Sequence, residues 1–264
     1  MRRARAIVRR TGLRAHLEAA RKLVERNALA TVGRRPNPTR GRILCYHSVG
    51  SPVYRVNDVS PRQFRRHINL ALSWGYRIVP ASDIALTGGQ PKDLAITFDD
   101  GVRSVDTHAA PFLADLGVPW TMFVVTEWAA GKGWWHPEEF MRWDEIERLP
   151  EKGAIIASHS ATHRNFGRLS ADEARYELFE SRSALQSRLG IDAAEFAIPF
   201  GRARDWSDEA HAIALEAGYQ TIYAASENRR ARGTVPRTFI TGVDNDRVFR
   251  GVLEGAFDEW EEWF

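Results

Sequence analysis

An α/β fold built on parallel strands is the class this sequence predicts, and three features predict it. Short apolar runs alternate with amphipathic segments along most of the chain. The amphipathic segments carry helix start and stop signals. The 264 residues are 44% hydrophobic, enough for one large domain of that kind. Strands alternating with single helices imply right-handed crossovers, hence a β/α barrel or an open doubly wound sheet.

The chain opens on a local charge imbalance. Residues 1–42 hold thirteen Lys and Arg against Glu18 and Glu25, although the whole chain is only +3. Leu13, Leu17, Ala20, Val24 and Ala28 recur at helical spacing among these bases, so residues 5–29 read as a basic amphipathic helix. Such a helix suits either packing on the domain or a partner subunit, or contact with an anionic membrane surface. Gly33 to Gly41, with Pro36 and Pro38, reads as a linker, which divides the chain into residues 1–40 and a main domain over 41–264.

Strands are expected at Ile43–Tyr46, Arg77–Val79, Leu94–Phe98, Thr121–Thr126, Ala154–Ser158, Glu195–Ile198, Tyr219–Ala224 and Val235–Ile240. Between them, Ser60 caps a helix with Pro61 at its first position and Gln63 closing a capping box; Phe64, Ile68 and Leu72 form its stripe and Gly75 ends it. Ser170 and Glu173 repeat the device, with Ala174, Leu178, Leu185 and Leu189 facing inward and Gly190 as the stop. Val248 to Phe264 reads as an amphipathic C-terminal helix whose Phe249, Leu253, Phe257 and Trp260 pack on the core.

Functional groups of such folds collect at the carboxyl ends of the strands. There the run Leu94–Phe98 delivers Asp99 and Asp100, followed by Gly101. Two adjacent carboxylates repel unless a cation sits there or one is protonated; the alternative is that the second aspartate merely caps the next helix. The run Ala154–Ser158 delivers His159 and His163, which would share one face four residues apart if the chain turned helical. The zinc-protease pattern is excluded, because Ser160 stands where a Glu is required. One carboxylate and two imidazoles make a three-ligand site with open positions, suited to zinc and open to cobalt or nickel, and the remaining aspartate is free to take a proton.

Thr97-Phe98-Asp99-Asp100-Gly101, His159 to His163, and Phe196-Ala197-Ile198-Pro199-Phe200-Gly201 resemble the three ordered motifs of the polysaccharide deacetylase family, the NodB homology domain of carbohydrate esterase family 4. The resemblance extends over about residues 43–240, including Ile43 to His47 and Val59 to Ile84. It implies a distorted (β/α) barrel with about seven strands, Asp99 as general base, Asp100, His159 and His163 as ligands to one divalent ion, and the Phe200 backbone N–H as an oxyanion donor. The implied substrate is an acetylated glycan or amino sugar, met by Pro199, Phe200 and Gly201.

Two departures qualify the resemblance. Ala197 stands where many members carry an Arg that orients the base, and Arg237 is a substitute from the last strand, with an ordinary surface arginine as its alternative. No histidine follows His211, so the late Leu-x-His motif that supplies a general acid is missing. His47, after the first strand, is the best substitute, with a structural role as its alternative; His136 stays undecided, and if neither serves, Asp99 returns the proton itself.

Trp134 and Trp135, in a Gly- and Trp-rich stretch with Trp128 and Trp143, suit stacking on sugar rings, while Trp143 reads as the start of a helix with Ile146 and Leu149. A lone Cys45 excludes an internal disulfide. No apolar stretch of signal-peptide or membrane-spanning length interrupts the early arginines, so the expected location is cytoplasmic, peripheral at the inner face of the membrane if the helix binds lipid. Nucleic acid is not expected as a partner, since the basic N-terminus stands without a recognition motif. Hydrolysis of a small amide or ureide, and glycan binding by an inactive barrel, are the competing functions.

Overall fold

The computed structural model describes residues 17, 19–33, 40–133, 135–226 and 229–258. Seven parallel strands form a ring: β1 (Arg42–Tyr46), β2 (Asp93–Phe98), β3 (Trp120–Val124), β4 (Ala154–Ser158), β5 (Glu195–Ala197), β6 (Thr221–Ala225) and β7 (Val235–Phe239). Each pairs with the next in sequence. The ring closes because β1 pairs with both β2 (Tyr46↔Phe98) and β7 (Cys45↔Phe239), which decides for the barrel over the open sheet. Its seams are uneven, since a single register pair, Ser158↔Phe196, joins β4 to β5. The remaining candidate strand shrinks to Arg77–Ile78 and pairs with the start of β2, outside the ring.

Strand alternation explains the two sides of the barrel. Ile43, Ala95, Phe123, Ala157, Ala197 and Tyr223, one from each of β1 to β6, form one buried cluster that fills the interior with alternating small and large side chains. Their neighbours Leu44, Tyr46, Leu94, Ile96 and Phe98 point the other way and pack with Phe64 and Ile68 of the helix Pro61–Ser73.

Ser60 caps that helix by accepting from the Gln63 N–H, but the Gln63 side chain does not complete the box; it donates to the Asp244 carbonyl instead (2.7 Å). The second capping box forms fully at Ser170 and Glu173, and Gly190 ends the helix Ala171–Leu189 at φ 67°. The C-terminal helix is shorter than its periodicity predicts. It spans Asp246–Leu253, after which the chain turns, with Phe249, Leu253 and Phe257 buried as expected and Trp260 outside the described residues.

Of the N-terminal helix, residues 19–32 are described as continuous helix, while residues 5–16 and most of the linker lie outside the described residues. Leu17 and Val24 of its apolar stripe are exposed. The adjacent face is buried. Arg26 forms an ion pair with Asp244 (Nη2 to Oδ2, 2.7 Å), donates to the Phe239 carbonyl, and lies over the rings of Phe239 and Phe257. Ala30 packs on Gly251, where an added Cβ would come 3.1 Å from Ala30, so glycine at that position eases the close approach of the helix. No helix among the described residues is long and apolar enough to cross a membrane.

Candidate active site

The carboxylates and imidazoles singled out at the strand ends surround an open cleft of about 1170 Å³, which Arg237 of β7 also lines. Asp99 directly follows β2, its N–H still bonded to the Tyr46 carbonyl, and the chain then breaks from strand geometry at Asp100 (φ 73°) and Gly101 (φ 71°). That reversal turns two consecutive side chains, which in a strand would face opposite sides, into the same cavity. Ser160, His163 and Phe200 also occupy the left-handed region, and such strain gathers at functional sites.

The His159–His163 pair corrects one expectation. The chain is not helical there: a non-helical turn follows β4, and it brings the two rings to a centroid separation of 4.9 Å. The turn is held by the Ser160 hydroxyl, which accepts the His163 N–H (2.9 Å), and by Glu177, which accepts the Thr162 N–H.

His159 Nδ1 lies 2.8 Å from the Ala197 carbonyl, so this nitrogen carries the proton and Nε2 is left as a lone pair. Asp100 Oδ1 is 3.5 Å from His159 Nε2 and 3.4 Å from His163 Nε2, and it is buried with no hydrogen-bond partner. Ligands about 2.0–2.1 Å from a tetrahedral ion stand roughly 3.3 Å from one another, so these three donors fit one divalent cation. Burial lowers both imidazoles to a pKa of about 4, which keeps them neutral as a ligand must be. Burial also raises Asp100 above its ordinary value, the penalty expected of a carboxylate without a countercharge.

Asp99 is also buried but differently served. Arg237 donates to both its oxygens, and the Cys45 thiol lies 3.3 Å from Oδ2. The guanidinium is fixed by Thr97 Oγ1 (3.1 Å) and by the face of Phe123. Burial is the largest single influence and alone would raise the Asp99 carboxyl, but the charge and hydrogen bonds of Arg237, with the charges of His159 and His47, together outweigh it and hold the group well below the usual carboxylate range. Arg237 is therefore a buried partner of Asp99 and not a surface arginine.

His47 lines the cleft, and its Nδ1 is buried without a hydrogen-bond partner. Its nitrogen, the Cys45 sulfur and an Asp99 oxygen lie within 4.8 Å of one another. Phe200, 58% exposed, stands over the His163 ring at 4.8 Å, and Gly201 (φ 76°) anchors its loop by accepting from the Ala225 N–H. Trp135 lines the cleft edge-on to Tyr54; Trp134 lies outside the described residues. His136 lies at the mouth, exposed and beside Glu138. Trp143 is buried at the start of the helix Trp143–Ile146. Tyr54 is absent from the sequence expectations, yet its buried, unpartnered hydroxyl lines the cleft. It belongs to a 3₁₀ segment, Pro52–Asn57, that carries no periodicity by which to find it.

A parallel barrel with a carboxylate and imidazole cluster at its strand ends defines the class of this protein. The chain belongs to the polysaccharide deacetylase family, whose model matches residues 87–222. It is similar to YxkH of Bacillus subtilis (strain 168), at 24% identity over 188 residues, covering 69% of this chain and 63% of that one. The fold is shared with the deacetylase PplD of Streptococcus pyogenes, solved with acetate (TM-score 0.66, 20% identity, 78% of this chain and 94% of that chain). It is shared also with IcaB of Ammonifex degensii (TM-score 0.67, 21% identity, 83% and 97%).

Proposed function

We propose that this protein hydrolyses an acetyl group from an amino sugar or acetylated glycan, with Asp100, His159 and His163 holding one divalent ion, zinc by preference and cobalt or nickel as alternatives. The observation that carries the reading is the buried, unpartnered Asp100 oxygen facing two neutral imidazoles. Family membership supports the same chemistry.

Asp99 takes the proton of the attacking water as oxygen adds to the acetyl carbonyl. A divalent ion held by Asp100, His159 and His163 would supply acidification of water and polarisation of the carbonyl, and Asp99, kept ionised beside Arg237, is the group placed to accept the proton. The backbone N–H of Phe200 donates to the oxyanion. When the C–N bond breaks, His47 protonates the departing amine and acetate leaves. Trp135 and Trp134, with Pro199, Phe200 and Gly201, receive the sugar ring. Arg237 acts through Asp99 as a positioning residue.

The arginines of residues 5–29 and the exposed Leu17 and Val24 support a second contact, with the anionic surface of a membrane, consistent with a peripheral location at its inner face.

The test is acetate release by purified protein from chitooligosaccharides, peptidoglycan fragments, acetylated xylan and lipid-linked amino sugars. Release should stop on chelation and return with zinc. A metal-loaded protein inert on the whole panel would refute the reading.

A further inference from the structure

The charges lining the cleft divide by depth. Its acids are Asp99, Asp100 and Asp205, all buried. Asp99 is held by Arg237 and Asp100 faces the imidazoles, while Asp205 accepts from Asn165 (2.6 Å) and from the Arg202 N–H (3.2 Å). The remaining charged lining is of one sign: Lys22, Arg55, Arg168, Arg202 and Arg204. These come from four places in the chain, namely the N-terminal helix and the loops after β1, β4 and β5.

Arg55, Arg168 and Arg204 are exposed, and Arg55 and Arg168 make no side-chain hydrogen bond or ion pair among the described residues. Arg55 is also held at φ 53°, ψ −119°, a strained backbone for a residue with a side chain. A net charge of only +3 over the chain does not account for five bases and no exposed acid among the described lining residues, Glu138 beside His136 standing outside that lining. Neutral sugars need aromatic faces and hydroxyl partners. A guanidinium fork matches a phosphate or carboxylate, and a cleft lined by one sign concentrates ligands of the other.

We propose that the cleft selects an acetylated glycan that carries oxyanions, phosphate or carboxylate, beside the acetyl group to be removed. The proposal rests on the deacetylase reading and specifies its substrate class. Groups bound by Arg55 and Arg168 lie at the mouth, while the acetyl group reaches the buried aspartates.

The experiment compares kcat/KM on three N-acetylglucosamine tetramers: unmodified, phosphorylated, and oxidised to carry carboxylates. At low salt the wild-type protein should favour one of the anionic tetramers over the neutral one by roughly tenfold or more. The better of the two identifies the oxyanion. The ratio should shrink at about 0.5 M salt, where charges are screened within a few Å. It should approach one in the Arg55→Gln/Arg168→Gln double variant; because a ratio is read, loss of active protein cancels. Equal rates on all three tetramers, or a preference that survives in the double variant, overturns the proposal. Calorimetric binding of the same tetramers separates the two readings. Selective binding of an anionic tetramer with no acetate released would end the deacetylase reading and leave the charge selection standing, whereas acetate release without selectivity would do the reverse.

Discussion

Arg237, on β7, grips Asp99, at the end of β2, with both terminal nitrogens: Nη1 lies 2.6 Å from Oδ1 and Nη2 2.9 Å from Oδ2, and both side chains are buried. Removing one partner of such a pair strands the other charge, at a cost of about 3–5 kcal/mol. Arg237→Gln should lose stability of that order. In the folded variant the Asp99 carboxyl, freed from the cation that lowers it, should titrate higher, so activity should begin to fall at a higher pH on the acid side. An unshifted acid limb would leave Arg237 a purely structural role.

Asp99 and Asp100 are neighbours with opposite expected phenotypes. Asp100→Asn should weaken metal affinity, because an amide oxygen is a poorer ligand to a divalent cation. Asp99→Asn should retain the metal and lose a factor of roughly 10²–10⁴ in kcat, the worth of a positioned base. Metal stoichiometry and turnover of the two variants decide the matter, and loss of metal from Asp99→Asn alone would exchange the roles.

His159→Ala and His163→Ala should each abolish binding of the single divalent ion. Elemental analysis of the purified variants is the direct measurement. Full metal content together with full activity in either one would remove that histidine from the ligand set.

The chelated protein should lose stability in mild acid. Burial lowers His159 and His163 from 6.5 to about 4, so below 6.5 the unfolded chain binds protons that the folded chain refuses. Their contribution is complete above pH 6.5 and declines as pH falls towards 4, by on the order of 3 kcal/mol for each if they titrate independently. Denaturant melts between pH 4 and 7 read this slope, and it should flatten in His159→Gln. A slope identical in that variant would show that other groups produce it.

Partition onto vesicles containing anionic lipid should fall with added salt, since each basic residue near such a surface contributes about 1 kcal/mol that ions screen. Leu17→Asp/Val24→Asp alters the exposed side of the helix and leaves Arg26 in place, so it should reduce partition without unfolding the domain. Equal partition of variant and parent would confine the helix to its packing role.

Capping pairs, strand runs and the placement of chemistry at strand ends were legible in the chain because they depend on near neighbours. Ser170 with Glu173, and Asp99 with Asp100, are separated by a few residues, and backbone geometry over that range follows from residue type. The same local reading misjudged the turn after β4. Spacing of four suggested a helix, whereas a left-handed Ser160 and the long-range partner Glu177 hold a different path to the same juxtaposition. It also left open whether the N-terminal helix packs on the domain or meets a membrane, because nothing nearby announces that Arg26 has a buried partner 218 residues away.

By itself, then, the sequence determined that strands and helices alternate, that two carboxylates and two imidazoles leave strand ends, and that an arginine lies in the last strand. Only the tertiary structure decided that the sheet closes, with β1 between β2 and β7, and this closure sets Arg237 against Asp99, 138 residues apart in the chain. The physical reason is that closure depends on hydrogen bonding between strands remote in sequence and on Ala95, Ala157 and Ala197 leaving room for Phe123 and Tyr223 inside the ring. A residue's partners across a barrel depend on that packing, which no window of neighbouring residues contains.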